Sequence, residues 1–486
     1  MQYIVRLFPE IMIKSKPVRK RWCKKLTDNL RILARRIDEK ASVVLDWDRI
    51  IVRSKGAGEH LDAQLSAMLA CTPGIAHFTR VSAHKFASLD DIYQLTYDYW
   101  QDKLDGRTFC VRVKRSGQHD WKSIDIERYV GGGLNQHTTA AGVRLKDPDV
   151  TVALEIKDDE LYIVEQRTEG LGGFPLGTQD EDVLSLVSGG FDSTVASYML
   201  MRRGMKTHFC FFNLGGREHE LAVKEVAFYL WNKFGSSHRV KFISVPFETV
   251  VAQILEHVGP ANMGVVLKRM MYRAASQVAE RAKVNAIVTG EAISQVSSQT
   301  LHNLAAIEKV TDKLILRPLI CMDKPEIIDL SRKIGTEEFS AAIPEYCGVI
   351  SVKPSSSVKM HKLLAEEAQL DFSVLESAIA NSRAQSIDEV MNDISPESGE
   401  LPLVGEGDEQ DYIVLDIRHP DEVEQKPLAV KQLKLMPFYS LNSRIHELDK
   451  NQAYALYCDK GVMSQLHAAH LQEQGFAKLA VYKHDK

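Results

Sequence analysis

The chain has 486 residues, 44% hydrophobic and 26% charged, enough for about three ordinary domains with full cores. That balance excludes a disordered, collagen-like or disulfide-stapled miniature protein, and no apolar run approaches the ~18–20 residues of a membrane span. Seven scattered cysteines and an amino terminus without a signal-peptide pattern fit a reducing, cytoplasmic setting.

The net charge of −4 hides a segregation. Residues 1–55 carry fifteen Lys/Arg against six Asp/Glu, a local charge of +9. Residues 361–410 carry two against twelve, a local −10. A basic head and a late acidic stretch both need a reason.

In chain order, Tyr3–Phe8 is predicted as a strand and Pro17–Arg36 as a helix with Leu26, Leu30 and Leu33 on one face. Ser42–Leu45 and Arg49–Val52 follow as a hairpin. A second round has a helix near His60–Ala70, a strand, a helix over Asp90–Asp102 and the strand Thr108–Lys114. A helix entered at Ser123 and the strands Val150–Ile156 and Leu161–Arg167 complete it. This is α+β grammar. After a Gly-rich connector at 170–177, the apolar strands Val183–Val187, His208–Asn213, Val240–Val245 and Ala286–Thr289 alternate with helices. Unbroken apolar strands of this kind belong to a parallel α/β sheet covered on both faces. The acidic stretch from Asn381 reads as a linker, and Ile413–Asp416 with Ala453–Tyr457 begin a last α/β part.

The strongest local signal joins a buried strand to a helix through Ser188-Gly189-Gly190-Phe-Asp192-Ser193. The glycines let backbone approach a ligand, and the helix-start amides with the Ser188 and Ser193 hydroxyls form a nest for an anion. No Gly-Lys-Ser/Thr follows, so the loop is not a Walker A loop, and dinucleotide spacing is absent. Asp192 in such a nest suits a magnesium ion shared with phosphates.

Lys14, Lys16, Arg19 and Arg21 crowd the opening of the first long helix. A second basic run, Arg112, Lys114 and Arg115, leads to His119. Either alone reads as a solvated face, but together they favour a phosphate backbone, read by shape rather than by base stacking. Cys458 closes a buried strand and opens the loop Cys458-Asp-Lys-Gly461-Val-Met-Ser464 before a helix. A thiol there is nucleophilic, and loop amides can cradle a persulfide anion. Cys23, Cys71, Cys110, Cys210 and Cys321 read as packing.

The loop SGGFDS resembles that of the ATP pyrophosphatases. Phe212-Asn-Leu-Gly-Gly216, Thr289-Gly290-Glu291, Gln295 to Gln299, Leu316-Arg317-Pro318-Leu319 and Asp323-Lys324 narrow the resemblance to the tRNA 4-thiouridine synthases, the ThiI family. FPEIMIKSKPVRKRW and FCVRVKRSGQHDW resemble that family's ferredoxin-like and THUMP domains. The Cys458 loop, with Leu415-Asp416-Ile-Arg418 upstream, resembles a rhodanese domain. It ends on Ser464 where many rhodaneses have Arg, which suits a protein persulfide better than thiosulfate as donor.

The resemblance implies a multidomain chain: a ferredoxin-like domain at 1–60, THUMP at 61–168, a PP-loop ATP pyrophosphatase domain at 176–380, an acidic linker at 381–405 and a rhodanese domain at 406–486. It places Leu186, Val187, Lys268, Gly290 and Gln299 at the ATP site, with Asp192 and Lys324 assisting adenylation and magnesium accompanying ATP; no protein-only metal site is expected. It pairs Cys347 with Cys458 in a disulfide during sulfur transfer. The implied reaction converts uridine eight of tRNA to 4-thiouridine, by direct persulfide attack or through released sulfide. The implied partners are tRNA, a cysteine desulfurase such as IscS and the thiamine-pathway sulfur carrier ThiS, with no membrane. A homodimer is one option for the oligomeric state. The rival reading is an ATP pyrophosphatase acting on a small molecule with a redox-sensing tail, which leaves the basic head unexplained.

Overall fold

The structure is a computed structural model. It describes residues 1–343 except 48, 57 and 215, then 354–390, 401–405, 409–418, 423–424, 426–437, 441, 444–458, 464, 467–468, 471–472 and 474–483, with the side chains of 216–218 and 409 also left aside. The chain divides into two compact units, Met1–Phe174 and Pro175–Lys486.

The first unit is built on one eight-stranded sheet. Its strands are β1 (Gln2–Leu7), β2 (Ser42–Asp46), β3 (Arg49–Arg53), β4 (Ile75–Lys85), β5 (Thr108–Ser116), β6 (Gly142–Val143), β7 (Val150–Lys157) and β8 (Glu160–Gly172), in the order β2-β3-β1-β4-β8-β7-β5-β6. Helices α1 (Pro9–Met12), α2 (Lys16–Ile37) and α3 (Glu59–Ala70) belong to the first half; α4 (Leu89–Trp100) and α5 (Ser123–His137) belong to the second. In α2, Pro17 suits the first turn, and Trp22, Cys23, Leu26, Leu30 and Ala34 recur at helical spacing and are buried. Helix α4 starts in a capping box between Ser88 and Asp91.

Two cores share this sheet. Tyr3, Val5, Leu26, Leu30, Val52, Leu65, Leu69 and Phe78 fill one, and Ile92, Phe109, Val111, Ile126, Val130, Leu154 and Ile163 the other. Helix α3, which begins at Glu59, contributes Leu65 and Leu69 to the first of these cores. Strand β4 pairs with β1 from Ile75 to Val81, and that pairing draws α3 into the first core.

The second unit begins with a sheet of β9 (Val183–Leu186), β10 (Thr207–Asn213), β11 (Lys241–Pro246), β12 (Ala286–Val288), β13 (Leu314–Leu316) and β14 (Arg383–Ser386), ordered β13-β12-β9-β10-β11-β14. Strands β9 to β13 pair in parallel and β14 is antiparallel on β11. Helices α6 (Phe191–Arg202), α7 (Gly216–Leu230), α8 (Glu248–His257), α9 (Met263–Ala282), α10 (Leu301–Glu308), α11 (Lys324–Ile334), α12 (Glu337–Ala342), α13 (Met360–Glu367) and α14 (Phe372–Ala380) accompany it. The first strand of this sheet, β9, is central, flanked by β10 and β12. Chain order reverses there, which opens a crevice at the carboxyl ends of the strands.

The stretch expected to be linker is ordered at both ends. Arg383–Ser386 forms an edge strand, with Ile387 and Val390 fully buried behind it, and β15 (Leu403–Val404) pairs with β19 (Leu479–Tyr482). An edge strand needs only backbone partners on one side, so its polar side chains conceal it. With β16 (Ile413–Asp416), β17 (Leu433–Leu435) and β18 (Tyr454–Tyr457), those last strands form an all-parallel sheet ordered β15-β19-β18-β16-β17. Cys23, Cys110 and Cys210 are buried as expected. Cys321 is exposed, because it lies in the turn before α11 rather than in a packed element. Among the described residues no helix is long and apolar enough to cross a membrane.

Candidate functional site

Strand β9 delivers the Ser-Gly-Gly loop to that crevice. Val187 is buried and its amide bonds the Cys210 carbonyl at 2.9 Å, while Leu186 is half-buried beside it. The Ser188 amide donates to Ser193 Oγ at 3.1 Å, and the two hydroxyls lie 3.2 Å apart. Gly190 caps α6, and its carbonyl accepts from Ser193 Oγ at 3.2 Å and Thr194 Oγ1 at 2.9 Å. Gly189 has φ +82°, a left-handed conformation that favours glycine, and a Cβ there would collide with Ile343. The loop is thus bonded to itself while the amino terminus of α6 stays available to an anion.

Asp192 sits in the first turn of α6. Lys324, the first residue of α11, donates to its Oδ1 at 2.8 Å, and Gln295 donates to Oδ2 at 2.9 Å. A capping box between Asp323 and Glu326 fixes the start of α11 and hence the root of Lys324. Gly290 follows β12 and lies against the same helix start. A Cβ on it would stand 2.5 Å from the Asp192 carbonyl carbon and 2.6 Å from the Ser193 amide nitrogen.

The next residue, Glu291, is buried among cations. Arg317 Nε donates to it at 2.9 Å, the Tyr272 hydroxyl at 2.6 Å, Thr289 Oγ1 at 3.0 Å and Lys268 Nζ at 3.4 Å. Burial works to raise its pKa, but Lys268, Tyr272 and Arg317 outweigh that and hold the carboxyl below its ordinary value. Arg317 reaches on to Glu308 at 2.7 Å. Lys268 is therefore no solvated helix residue, and Arg269 beside it is buried on Glu367. Gln299 is buried, with its Oε1 3.4 Å from the Ala292 amide that donates to it. The segment 290–299 gathers Gly290, Gln299 and, through Glu291, Lys268.

Sequence reasoning assigned no role to Glu291, Gln295 or Arg317, although all three lie in the quoted strings. It passed over His219 entirely. His219, on α7, donates from Nε2 to the Ser188 carbonyl at 3.4 Å and meets Phe211 edge-on. Burial pushes this imidazole below its ordinary pKa, which keeps it a neutral donor behind the loop.

Cys458 directly follows β18, is 9% exposed and accepts a hydrogen bond at Sγ from the Ser464 amide at 3.4 Å. At the end of the neighbouring strand β16, Arg418 and Asp416 form a buried pair at 2.6 Å, with the guanidinium 4.7 Å from the Tyr457 ring centroid. Cys347 lies outside the described residues.

In the first unit, Lys16 and Arg21 are exposed and Arg19 and Lys14 half-exposed. Lys14 Nζ lies 5.7 Å from the Trp22 ring centroid, and Arg19 donates to the Met12 carbonyl at 3.4 Å. Arg112 and Lys114 alternate outward along β5 while Val111 and Val113 face the core. His119 is fully engaged: Nε2 donates to the Asp158 carbonyl at 2.7 Å, Nδ1 accepts from Arg115 at 3.0 Å, and the ring stacks on Trp121 at 4.3 Å. It holds Arg115 in place, and Trp121 and Phe86 form an aromatic cluster around it that no sequence spacing announced.

A glycine loop at a topological switch point, joined in one chain to a cysteine just past a parallel strand, has the make-up of a nucleotide-binding α/β enzyme with a sulfur-handling module. A family model described as thiamine biosynthesis protein (ThiI) matches residues 177–372, a THUMP domain matches 86–164 and a rhodanese-like domain matches 403–485. The tRNA sulfurtransferase of Saccharophagus degradans is 60% identical over 99% of this chain and all of its own length. That of Shewanella halifaxensis is 53% identical with the same coverage. The crystal structure of a 4-thiouridine synthetase–RNA complex with bound ATP superimposes with TM-score 0.69 at 26% identity, covering 79% of this chain and 99% of that one. The chain belongs to the tRNA sulfurtransferase family and is a sulfur-transferring enzyme.

Proposed function

We propose that this enzyme adenylates O4 of a tRNA uridine, at position eight, and exchanges that oxygen for sulfur carried by Cys458. The observation that carries the reading is the Asp192–Lys324 pair at the amino terminus of α6, 2.8 Å apart beside a glycine loop. A lone cation or a lone carboxylate would serve many folds. A pair at an anion nest serves phosphoryl chemistry, in which an ammonium offsets charge building on the phosphates.

The chain's residues divide the work. Ser188, Gly189, Gly190 and Ser193 would receive pyrophosphate of ATP, with Gly290 leaving room and Lys268 and Gln299 bordering the same segment. Among the described residues no group of three His, Cys, Asp or Glu side chains is set to hold a metal alone. A magnesium ion that takes phosphate oxygens and water needs only one or two carboxylates, and Asp192 fits as one. Bound there, magnesium would neutralise phosphate charge. Uridine O4 bonds the α-phosphorus and the α–β phosphoanhydride breaks, releasing pyrophosphate.

Cys458 receives its outer sulfur as a persulfide from a cysteine desulfurase of the IscS kind. In one route the terminal sulfur adds at C4 and the C4–O bond breaks, releasing AMP. The Cys347 thiolate then attacks Cys458 Sγ, leaving sulfur on the base and a Cys347–Cys458 disulfide. In the other, Cys347 attacks first and liberates sulfide, which displaces AMP. Either way an external dithiol reduces the disulfide. The same Cys458 persulfide would supply sulfur to the carrier ThiS for thiamine synthesis. The test is pyrophosphate release that depends on tRNA, followed by mass spectrometry of the tRNA nucleosides. Release without tRNA would favour the small-molecule rival.

A further inference from the structure

Helix α7 flanks the pyrophosphate loop through His219, which donates to the Ser188 carbonyl, and Val223, whose Cγ2 would lie 3.2 Å from a Cβ at Gly189. Two positions past Val223 is a rotation of about 200°, so Glu225 leaves α7 on the other side. It does not reach water: its side chain is 10% exposed, and Oε1 lies 3.1 Å from Nε2 of His467, itself 6% exposed. His467 comes from the rhodanese-like part, helical and three residues past Ser464, whose amide holds Cys458 Sγ. Two ionisable side chains from helical segments beside different sheets are thus taken out of water against each other, an arrangement that is costly unless they are paired.

We propose that Glu225 is the docking residue that seats the rhodanese-like part on α7 through His467, so that Cys458 is presented from one fixed seat across α7 from the pyrophosphate loop. An α-helix with its side chains is about 10–12 Å wide. The seat therefore puts His467 about one helix width from the loop, and no freely wandering tether is required. His467 and Glu225 act through position, not chemistry: neither touches the reacting atoms. This inference rests on the sulfur relay proposed above.

The experiment uses the full chain with Glu225→Gln, His467→Gln and the double variant. Three quantities are read: tRNA-dependent pyrophosphate release, persulfide loaded on Cys458 by a cysteine desulfurase with cysteine, and single-turnover formation of thiolated tRNA. Docking predicts the first two within about two-fold of the parent. It predicts the third at least ten-fold slower in each single variant and no slower in the double than in either single, because both substitutions break the same contact. Thiolation at the parent rate overturns the proposal, as does a double variant slowed by the product of the single effects. Loss of pyrophosphate release or of persulfide loading in the variants overturns it too, by making the pair ordinary packing. Absence of either activity in the parent chain would instead sink the relay itself.

Discussion

Lys324 and Asp192, 132 positions apart in sequence, meet at 2.8 Å where the starts of two helices converge. Both side chains are part-exposed, so the pair adds little to stability. Its value is chemical. Lys324→Ala should lower adenylation about 10²- to 10³-fold, the usual cost of removing one preorganised charge donor. The melting temperature should stay within a degree or two and tRNA affinity within about two-fold. Pyrophosphate release, calorimetry and filter binding measure the three. A large fall in tRNA affinity would show that Lys324 holds RNA instead.

Gly290 tests how closely the chain must approach the loop. Gly290→Ala places a Cβ against the backbone of Asp192 and Ser193, which no side-chain rearrangement relieves. Overpacking of this kind costs about 1–3 kcal/mol, and here it should displace the start of α6. The expected result is at least a ten-fold rise in KM for ATP with tRNA binding retained, read from pyrophosphate release at varied ATP.

The basic face of β5 has a salt signature. Arg112 and Lys114 are exposed on one side of the strand. Replacing either with Ala should weaken tRNA binding and reduce the slope of log affinity against log salt by about 0.7–0.9 for each phosphate that is no longer neutralised. Filter binding over a salt series checks this, and an unchanged slope would remove that residue from the interface.

Acid sensitivity should trace to Glu367. Burial pushes its pKa up, but Arg269 and Arg273 hold it below the ordinary 4.5. A carboxyl lowered in the folded state contributes stability that is whole above about pH 4.5 and is lost as the pH falls through the folded value. Glu367→Gln should destabilise the chain at pH 7 by on the order of 3 kcal/mol, since it leaves buried Arg269 without its counter-charge. The same variant should flatten the fall in melting temperature below pH 4.5.

The elements that carry a sheet interior were legible because their signal is local. Strands β9, β10 and β11 are apolar runs bounded by turns, and α2 repeats its buried residues at helical spacing. Strand β14 was not, since an edge strand bonded through its backbone to β11 needs no apolar pattern. Likewise, α3 joins the first core only because β4 pairs with β1, a pairing between distant segments. At the site, Ser188 to Ser193 announce themselves as a contiguous string. Glu291 with Arg317, and His219 behind Ser188, are relations across the fold that spacing along the chain does not encode.

The central claim is that adenylation and sulfur delivery reside on separate groups of one chain. It is tested most directly with full-length Cys458→Ala, given tRNA, ATP, a cysteine desulfurase and cysteine, by measuring pyrophosphate and 4-thiouridine together. The account predicts pyrophosphate release within about two-fold of the parent and no 4-thiouridine. Persisting 4-thiouridine, or loss of both products, would contradict it.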